Sequence, residues 1–235
     1  MTSKLSRKLI EKMFPHRPIP ATITTKRPDS HEAKLTVVLD IDETLVHTMI
    51  TNEEVELKLK HNSEAQLTSP NIGKLTNDFF HINIAGEVAR VHRRPHLSWF
   101  LKEASQKFEL VTFTAGEESY ASMVLNEIDP DKSLIPHRFF RQHCTQLGEF
   151  IYTKDLSDLN RSLSRTVLVD NNPVCFIPNP DNGIPVNSFY GQTEDSTLKI
   201  LMGFLDKLNE FSDVRPVLKQ RFGISNQISS LRAKM

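Results

Sequence analysis

The sequence predicts an α/β fold in which helices flank a parallel β-sheet and a β-hairpin and loop insertion follows the first strand. Three short apolar segments have the length and β-branched content of buried strands: residues 35–39, 108–114 and 166–170. Segments with apolar residues at helical spacing lie between and after them. Short buried strands that alternate with helices are typical of a parallel sheet with right-handed crossovers.

Three helices are predicted from apolar residues that recur every three or four positions. The first begins behind Pro95, a residue suited to a first helical turn, and the second ends at Asp129 and Pro130. The apolar positions are Leu97, Phe100, Leu101 and Ala104 in the first helix, Ala121, Val124, Leu125 and Ile128 in the second, and Leu198, Leu201, Met202 and Leu205 in the third.

The composition of successive segments predicts the domain organisation. Residues 1–33 include a proline-rich stretch and are expected to form a flexible arm before a folded domain at 34–223. Residues 49–92 form the insertion, which contains a polar segment and a hairpin that turns at Ala85-Gly86. Residues 224–235 are expected to be a tail, either a short extension or frayed.

The overall composition narrows the classes of function. The formal net charge is zero, which argues against direct binding of nucleic acid, and only two cysteines occur, which fits a reducing compartment in the nucleus or cytoplasm. No apolar run approaches the roughly 20 residues of a transmembrane helix. The basic N-terminus leaves membrane-surface binding, organelle targeting and docking on the domain open. We expect a monomer.

Polar side chains follow all three predicted strands. Asp40 and Asp42 follow the first strand, Thr114 ends the second, and Asp170 and Asn171 end the third. In an open parallel sheet the ligand crevice lies beyond the carboxyl ends of the strands, so these residues are expected to gather at one edge. The alternative is that Asp40 and Asp42 only cap the turn that follows the first strand.

Two carboxylates one residue apart suit phosphoryl transfer. Asp40 can attack phosphorus as a nucleophile, and Asp42 can serve as general acid and then as general base, with Thr44 orienting it. Attack on a phosphoryl dianion requires charge neutralisation, which Mg²⁺ provides. The expected Mg²⁺ ligands are Asp40, the Asp42 carbonyl and Asn171, with support from Asp170. Lys154 would add a fixed positive charge, and Thr114 would donate to a phosphoryl oxygen.

Seven segments of the sequence together resemble the haloacid dehalogenase (HAD) superfamily, and within it the FCP/SCP-type phosphatases that act on the RNA polymerase II C-terminal domain. They are VVLDIDETLVHT, RRPHLSWFL, ELVTFTAG, FFRQHC, YTKDLSDL, VLVDNNP and PDNGIPV, and the match runs from about residue 35 to 222. The resemblance implies a HAD-like Rossmannoid sheet and an aspartyl-phosphate intermediate. It implies the same roles for Asp40, Asp42, Thr114, Lys154 and the Asp170-Asn171 pair.

The resemblance also implies a phosphorylated protein or peptide as substrate, with phosphate on serine or threonine. Arg141 matches an arginine that contacts the phosphorylated peptide, and Thr44 and Tyr120 are expected among the substrate contacts. Ile82 and Ile84 are expected to line an apolar pocket for a proline, with ordinary hairpin packing as the alternative. Glu117 stands where an apolar residue is expected. The alternative function is a catalytically idle or non-enzymatic binding scaffold of the same fold, as in related mitochondrial import subunits.

Overall fold

The computed structural model describes residues 34–50 and 75–232. This part of the chain contains ten strands: β1 (Thr36–Leu39), β2 (Val46–Ile50), β3 (Phe79–Ile84), β4 (Glu87–Arg93), β5 (Glu109–Phe113), β6 (His137–Phe139), β7 (Thr145–Gly148), β8 (Ile151–Thr153), β9 (Thr166–Asp170) and β10 (Gly183–Pro185). It also contains five α-helices: α1 (Leu97–Lys107), α2 (Glu118–Ile128), α3 (Thr197–Leu208), α4 (Arg215–Phe222) and α5 (Ile224–Arg232). None of these helices is both long and apolar enough to cross a membrane.

The central sheet has five parallel strands in the order β10-β9-β1-β5-β6. The α/β prediction is therefore confirmed, with β1 in the middle. Val37 and Leu39 point into a core shared with α1, α2 and α3, whereas Val38 points into a second core on the opposite face. All three side chains are fully buried, which explains why β1 is apolar without alternation.

The insertion after β1 contains a second, antiparallel sheet in the order β2-β4-β3. The predicted turn joins β3 to β4, with Ala85 and Gly86 both at positive φ (53° and 93°), as a two-residue hairpin turn requires. Strand β2 starts at Val46, three residues before the predicted start of the insertion. Residues 51–74 of the insertion and the predicted arm at 1–33 lie outside the described residues.

The predicted tail after Gly223 forms part of the fold. Gly223 ends α4 in the left-handed conformation at φ 61°, and α5 begins at the next residue. Ile224 is 2% exposed and belongs to the second core, where it packs with Phe176 and Leu168. Of the two expectations for this segment, residues 224–232 correspond to a short extension and not to a frayed end, because burial of Ile224 ties the helix to the sheet. Residues 233–235 lie outside the described part.

His92 on β4 makes the stability of the fold sensitive to acid. Its side chain is 1% exposed, its Nδ1 donates to the Thr76 carbonyl at 3.1 Å, and its Nε2 has no hydrogen-bond partner among the described residues. Burial lowers the pKa of His92 from 6.5 to about 4, so the folded state keeps the ring neutral. As pH falls, His92 takes up a proton in the unfolded chain before it does so in the folded protein. Its contribution to stability is therefore fully present above pH 6.5 and is lost between pH 6.5 and pH 4.

Urea unfolding between pH 7 and pH 4 tests this effect. We expect His92 to account for a loss of up to about 3 kcal/mol in the free energy of unfolding, in addition to the contribution of other groups. His92→Asn keeps a donor but cannot titrate, so its loss of stability over the same range should be smaller. Equal pH dependence in the two proteins would contradict the assignment.

Candidate active site

The carboxyl ends of β1, β5 and β9 open into one cavity of about 440 Å³. Asp40 directly follows β1, Thr114 directly follows β5, and Asp170 is the last residue of β9. In the structure these residues lie together at one edge of the sheet, as the sequence predicts. The cavity is lined by Asp40, Asp42, Glu43, Thr114, Ala115, Gly116, Glu117, Tyr120, Arg141, Lys154, Asp170, Asn171, Asn172 and Cys175.

The centre of the site is a buried ion-pair triad of Lys154, Asp40 and Asp170. Lys154 directly follows β8, is 1% exposed, and donates from Nζ to Asp40 Oδ1 and to Asp170 Oδ2, both at 2.6 Å. The other oxygen of Asp40, Oδ2, accepts from the Thr44 hydroxyl at 3.0 Å. Asp40 is therefore held at both oxygens, which fixes the direction of its carboxylate.

Burial and charge set the ionisation of this triad. Burial raises the pKa of Asp40 to about 7, the charge of Asp170 adds to the rise, and Lys154 opposes it. Burial alone would lower the pKa of Lys154, but Asp170 and Asp40 together raise it above its usual value. Lys154 therefore stays protonated and supplies the cation that two buried carboxylates require.

Asp42 occupies a different environment from Asp40. Burial raises its pKa to about 6, which is the range of a group that gives and takes a proton near neutrality. Its Oδ1 accepts a short hydrogen bond from the Tyr120 hydroxyl on α2, and that hydroxyl lies 2.6 Å from Thr48 Oγ1 on β2. Burial raises the pKa of Tyr120 above its usual value, so the phenol remains a donor to Asp42.

Two acceptor oxygens lie beside the Asn171 amide in a way that suits a cation. The amide faces Asp40 Oδ2 and the Asp42 carbonyl oxygen, each 3.3 Å away, and without a cation its nitrogen donates to both. With a cation at this place, the Asn171 oxygen would turn to the same side as a third ligand. Carboxylate, carbonyl and amide oxygens are the ligands that Mg²⁺ prefers, so this set fits the ion. No cluster of three or more His, Cys, Asp or Glu side chains in residues 34–50 and 75–232 offers another metal site.

Arg141 lies at the rim of the cavity, where Glu117 holds it. Its Nε donates to the Ala115 carbonyl at 2.6 Å, one terminal nitrogen donates to Glu117 Oε1 at 2.8 Å, and the guanidinium lies 5.3 Å from the centre of the Tyr152 ring. The Arg141 side chain is 38% exposed, so solvent reaches the site where an anion would bind. Glu117, which stands where an apolar residue was expected, is thus an ion-pair partner of Arg141.

Three of the expected substrate contacts do not line the cavity. Thr44 is 1% exposed, is not among the residues that line the cavity, and donates its hydroxyl to Asp40 instead of Asp42. Ile82 is 7% exposed within the core, and Ile84 packs against that core. The hairpin turns both isoleucines inward, which corresponds to the packing alternative. Tyr120 and Arg141 do line the cavity.

Arg94 is a supporting residue that the sequence reasoning missed. It is fully buried and donates to both carboxylate oxygens of Asp195 at 3.0 and 2.8 Å. It also donates to the Thr44 carbonyl at 2.9 Å, which fixes the turn that presents Thr44 to Asp40. The only signal in the sequence for a buried role was that Arg94 lies in the RRPHLSWFL segment of the family resemblance. A single arginine is otherwise expected at the surface.

Comparison with protein families and curated proteins places the chain among phosphatases. The model of the family described as NLI interacting factor-like phosphatase matches residues 35–215. The chain is 35% identical over 205 residues to CTD nuclear envelope phosphatase 1 of Xenopus laevis, covering 86% of this chain and 78% of that protein. It is 36% identical over 207 residues to the Caenorhabditis elegans homologue, covering 87% and 79%.

Comparison with solved structures agrees on the fold. The fission yeast RNA polymerase II CTD phosphatase Fcp1, in a structure with beryllium fluoride, superposes with a TM-score of 0.52 at 20% identity. The similarity covers 80% of this chain and 54% of that one.

Proposed function

Because the chain belongs to the family of NLI interacting factor-like phosphatases and is a protein phosphatase, we propose that it hydrolyses phosphoserine or phosphothreonine through an aspartyl-phosphate on Asp40. The observation that carries this proposal is the buried triad, in which Lys154 lies 2.6 Å from both Asp40 and Asp170. A carboxylate held in one direction beside a fixed cation suits nucleophilic attack on a phosphoryl group.

The two aspartates divide the proposed reaction. A carboxylate oxygen of Asp40 attacks phosphorus, the bond from phosphorus to the seryl or threonyl oxygen breaks, and the Asp42 carboxyl gives that oxygen its proton. Asp42 then takes a proton from a water molecule, whose oxygen attacks phosphorus. The bond from phosphorus to Asp40 breaks and inorganic phosphate leaves. The hydrogen bond from Tyr120 aims the Asp42 carboxylate in both half-reactions.

The proposal includes a Mg²⁺ ion held by Asp40, the Asp42 carbonyl and Asn171, with Asp170 in support. Its support is the position of the Asn171 amide, 3.3 Å from both Asp40 Oδ2 and the Asp42 carbonyl oxygen. When bound, the ion would neutralise part of the charge on the phosphoryl group and on Asp40. The Thr114 side chain accepts from the Gly116 amide at 2.9 Å and keeps its own hydroxyl proton for a phosphoryl oxygen.

The substrate is proposed to be a phosphorylated protein, because the relatives are named CTD phosphatases. A peptide that resembles the RNA polymerase II C-terminal domain is the first to test. The relatives are also named for the nuclear envelope. We propose the nucleus or cytoplasm as the location of this chain.

Phosphate release from matched phosphoserine, phosphothreonine and phosphotyrosine peptides tests the proposal. We expect release from the first two with Mg²⁺ and none after the ion is removed with a chelator. Peptide binding without release under all metal conditions would favour the scaffold alternative, since the cavity would then be used for recognition alone.

The contact between Glu117 and Arg141 predicts an increase in substrate affinity on mutation. In Glu117→Gln the guanidinium loses its carboxylate partner and becomes free to meet phosphate. Because a half-exposed pair is worth at most about 1 kcal/mol, we expect KM for a phosphopeptide to fall by about two- to fivefold.

The adjacent substitution Glu118→Gln is the matched control. It removes the same charge one residue away, where the Glu118 carboxylate accepts from Gln142 instead of Arg141. An equal fall in KM in the two variants would assign the effect to net charge and contradict the role of the pair.

A further inference from the structure

The hairpin of β7 and β8 carries an apolar surface that the described residues leave uncovered. Phe150 is 81% exposed, Leu147 is 56% exposed and Ile151 is 46% exposed. These three side chains, named here the hairpin tip, lie within five consecutive residues. Single exposed apolar residues are ordinary on a protein surface, but three together at the end of one hairpin indicate a binding surface.

The backbone of the tip is strained at the most exposed of these residues. Phe150 has φ 58°, a left-handed conformation that favours glycine or asparagine and that bulky residues rarely adopt. The turn pairs Gly148 with Ile151, so Phe150 is the second residue of a two-residue loop. A strained position that holds a solvent-exposed phenylalanine gains nothing for the fold, which points to a use of the aromatic side chain.

The hairpin continues directly into the active site. Cys175, which lines the cavity, places its thiol 3.9 Å from the Tyr152 carbonyl oxygen on β8. The Tyr152 ring lies under the guanidinium of Arg141, and Lys154 follows the last residue of β8. Phe150 lies four positions before Lys154, which corresponds to about 13 Å of extended chain.

From this geometry we infer that the hairpin tip binds an apolar side chain of the phosphoprotein substrate, three to five residues from the phosphorylated residue. The inference rests on the proposed function, since the phosphoryl group must lie at Asp40 and Lys154. An extended peptide advances about 3.3 Å per residue, so a residue at that separation reaches the tip while the phosphate is bound. The tip thereby selects substrates by a feature outside the catalytic residues.

A set of phosphothreonine peptides tests the inference. Each peptide has an alanine background with a single leucine, placed at successive positions on either side of the phosphothreonine, and p-nitrophenyl phosphate serves as a substrate too small to reach the tip. We expect kcat/KM to be about tenfold higher for leucine at one position three to five residues away, as partial burial of one side chain allows.

Variants at the tip separate this preference from catalysis. Phe150→Gly removes the ring and suits the positive φ, so it should fold, hydrolyse p-nitrophenyl phosphate at the wild-type rate and lose the leucine preference. Phe150→Leu should keep the preference. The control Ile200→Gln removes an apolar side chain that is 65% exposed on α3 and should also keep it.

Two results would overturn the inference. One is hydrolysis of all the peptides with equal efficiency by the wild-type protein, and the other is a preference for leucine that survives in Phe150→Gly. A dimer that dissociates in Phe150→Gly, without any peptide preference, would assign the tip to a second copy of the chain and also overturn it. Absence of hydrolysis of every substrate, including p-nitrophenyl phosphate, would overturn the proposed function and this inference with it.

Discussion

Replacement of Asp40 by asparagine is expected to lower phosphate release from any substrate by roughly 10⁴-fold or more, because an amide cannot form the acyl phosphate. The fold should survive. Asp40 is a buried carboxylate whose pKa is raised to about 7 chiefly by burial, so a neutral side chain removes a desolvation cost. Lys154 keeps Asp170 as a partner at 2.6 Å.

Asp42→Asn is the matched comparison, and the two variants should respond differently to the leaving group. Asparagine cannot protonate the departing oxygen, which we expect to cost about 10²–10⁴-fold with a phosphoserine peptide. p-Nitrophenolate leaves with little need of a proton, so the first step should be less affected with that substrate. Asp40→Asn should be inactive on both. Activity of Asp40→Asn near the wild-type level would remove the nucleophile from the mechanism.

Lys154→Met is expected to produce the largest loss of stability among the substitutions considered. The change leaves Asp40 and Asp170 buried without their cation, and loss of one partner from a buried ion pair costs about 3–5 kcal/mol. Activity should be lost as well, because the fixed positive charge beside the nucleophile is gone. Chemical unfolding at pH 7 measures the first effect, and phosphate release measures the second.

The control for this variant is Lys107→Met. Lys107 pairs with Asp206 at 2.8 Å, but both side chains are more than 40% exposed, so the cost should stay below about 1 kcal/mol.

The pH dependence of the stability of Lys154→Met supplies a second criterion. Since Lys154 lowers the pKa of Asp40, its removal lets burial raise that pKa further, and the stability deficit should shrink as pH falls and the carboxylate takes up a proton. Equal deficits in the two variants would contradict the account.

The sequence predicted the parts of the fold and site that depend on local pattern and on strand ends. Asp40, Thr114 and Asp170 follow three apolar strands, and parallel strands bring their carboxyl ends to one edge. Their assembly around one cavity could thus be expected before any coordinates. Lys154 was predicted from the positive charge that phosphoryl transfer requires, but its place could not be, since the strand before it is only three residues long and lies outside the main sheet.

The contacts that sequence reasoning missed depend on tertiary packing. Thr44 follows Asp42 by two residues, yet the turn after β1 directs its hydroxyl to Asp40. The burial of Arg94 depends on Asp195, which lies 101 residues away in the sequence. No periodicity along the chain encodes these two arrangements. For Ile82 and Ile84 the sequence left a substrate pocket and hairpin packing open, and the strands of the insertion turn them towards the core.

Chemical trapping of the phosphorylated enzyme tests the central proposal most directly. Asp42→Asn would be mixed with p-nitrophenyl phosphate, whose leaving group needs little protonation, and Mg²⁺, then quenched in acid, digested and examined by mass spectrometry. We predict a single phosphoryl group on the peptide that contains Asp40, sensitive to hydroxylamine as an acyl phosphate is, and absent from the Asp40→Asn, Asp42→Asn double variant. Turnover by the wild type with no phosphorylated peptide in any quenched sample, or with the label on another residue, would contradict the role of Asp40 as nucleophile.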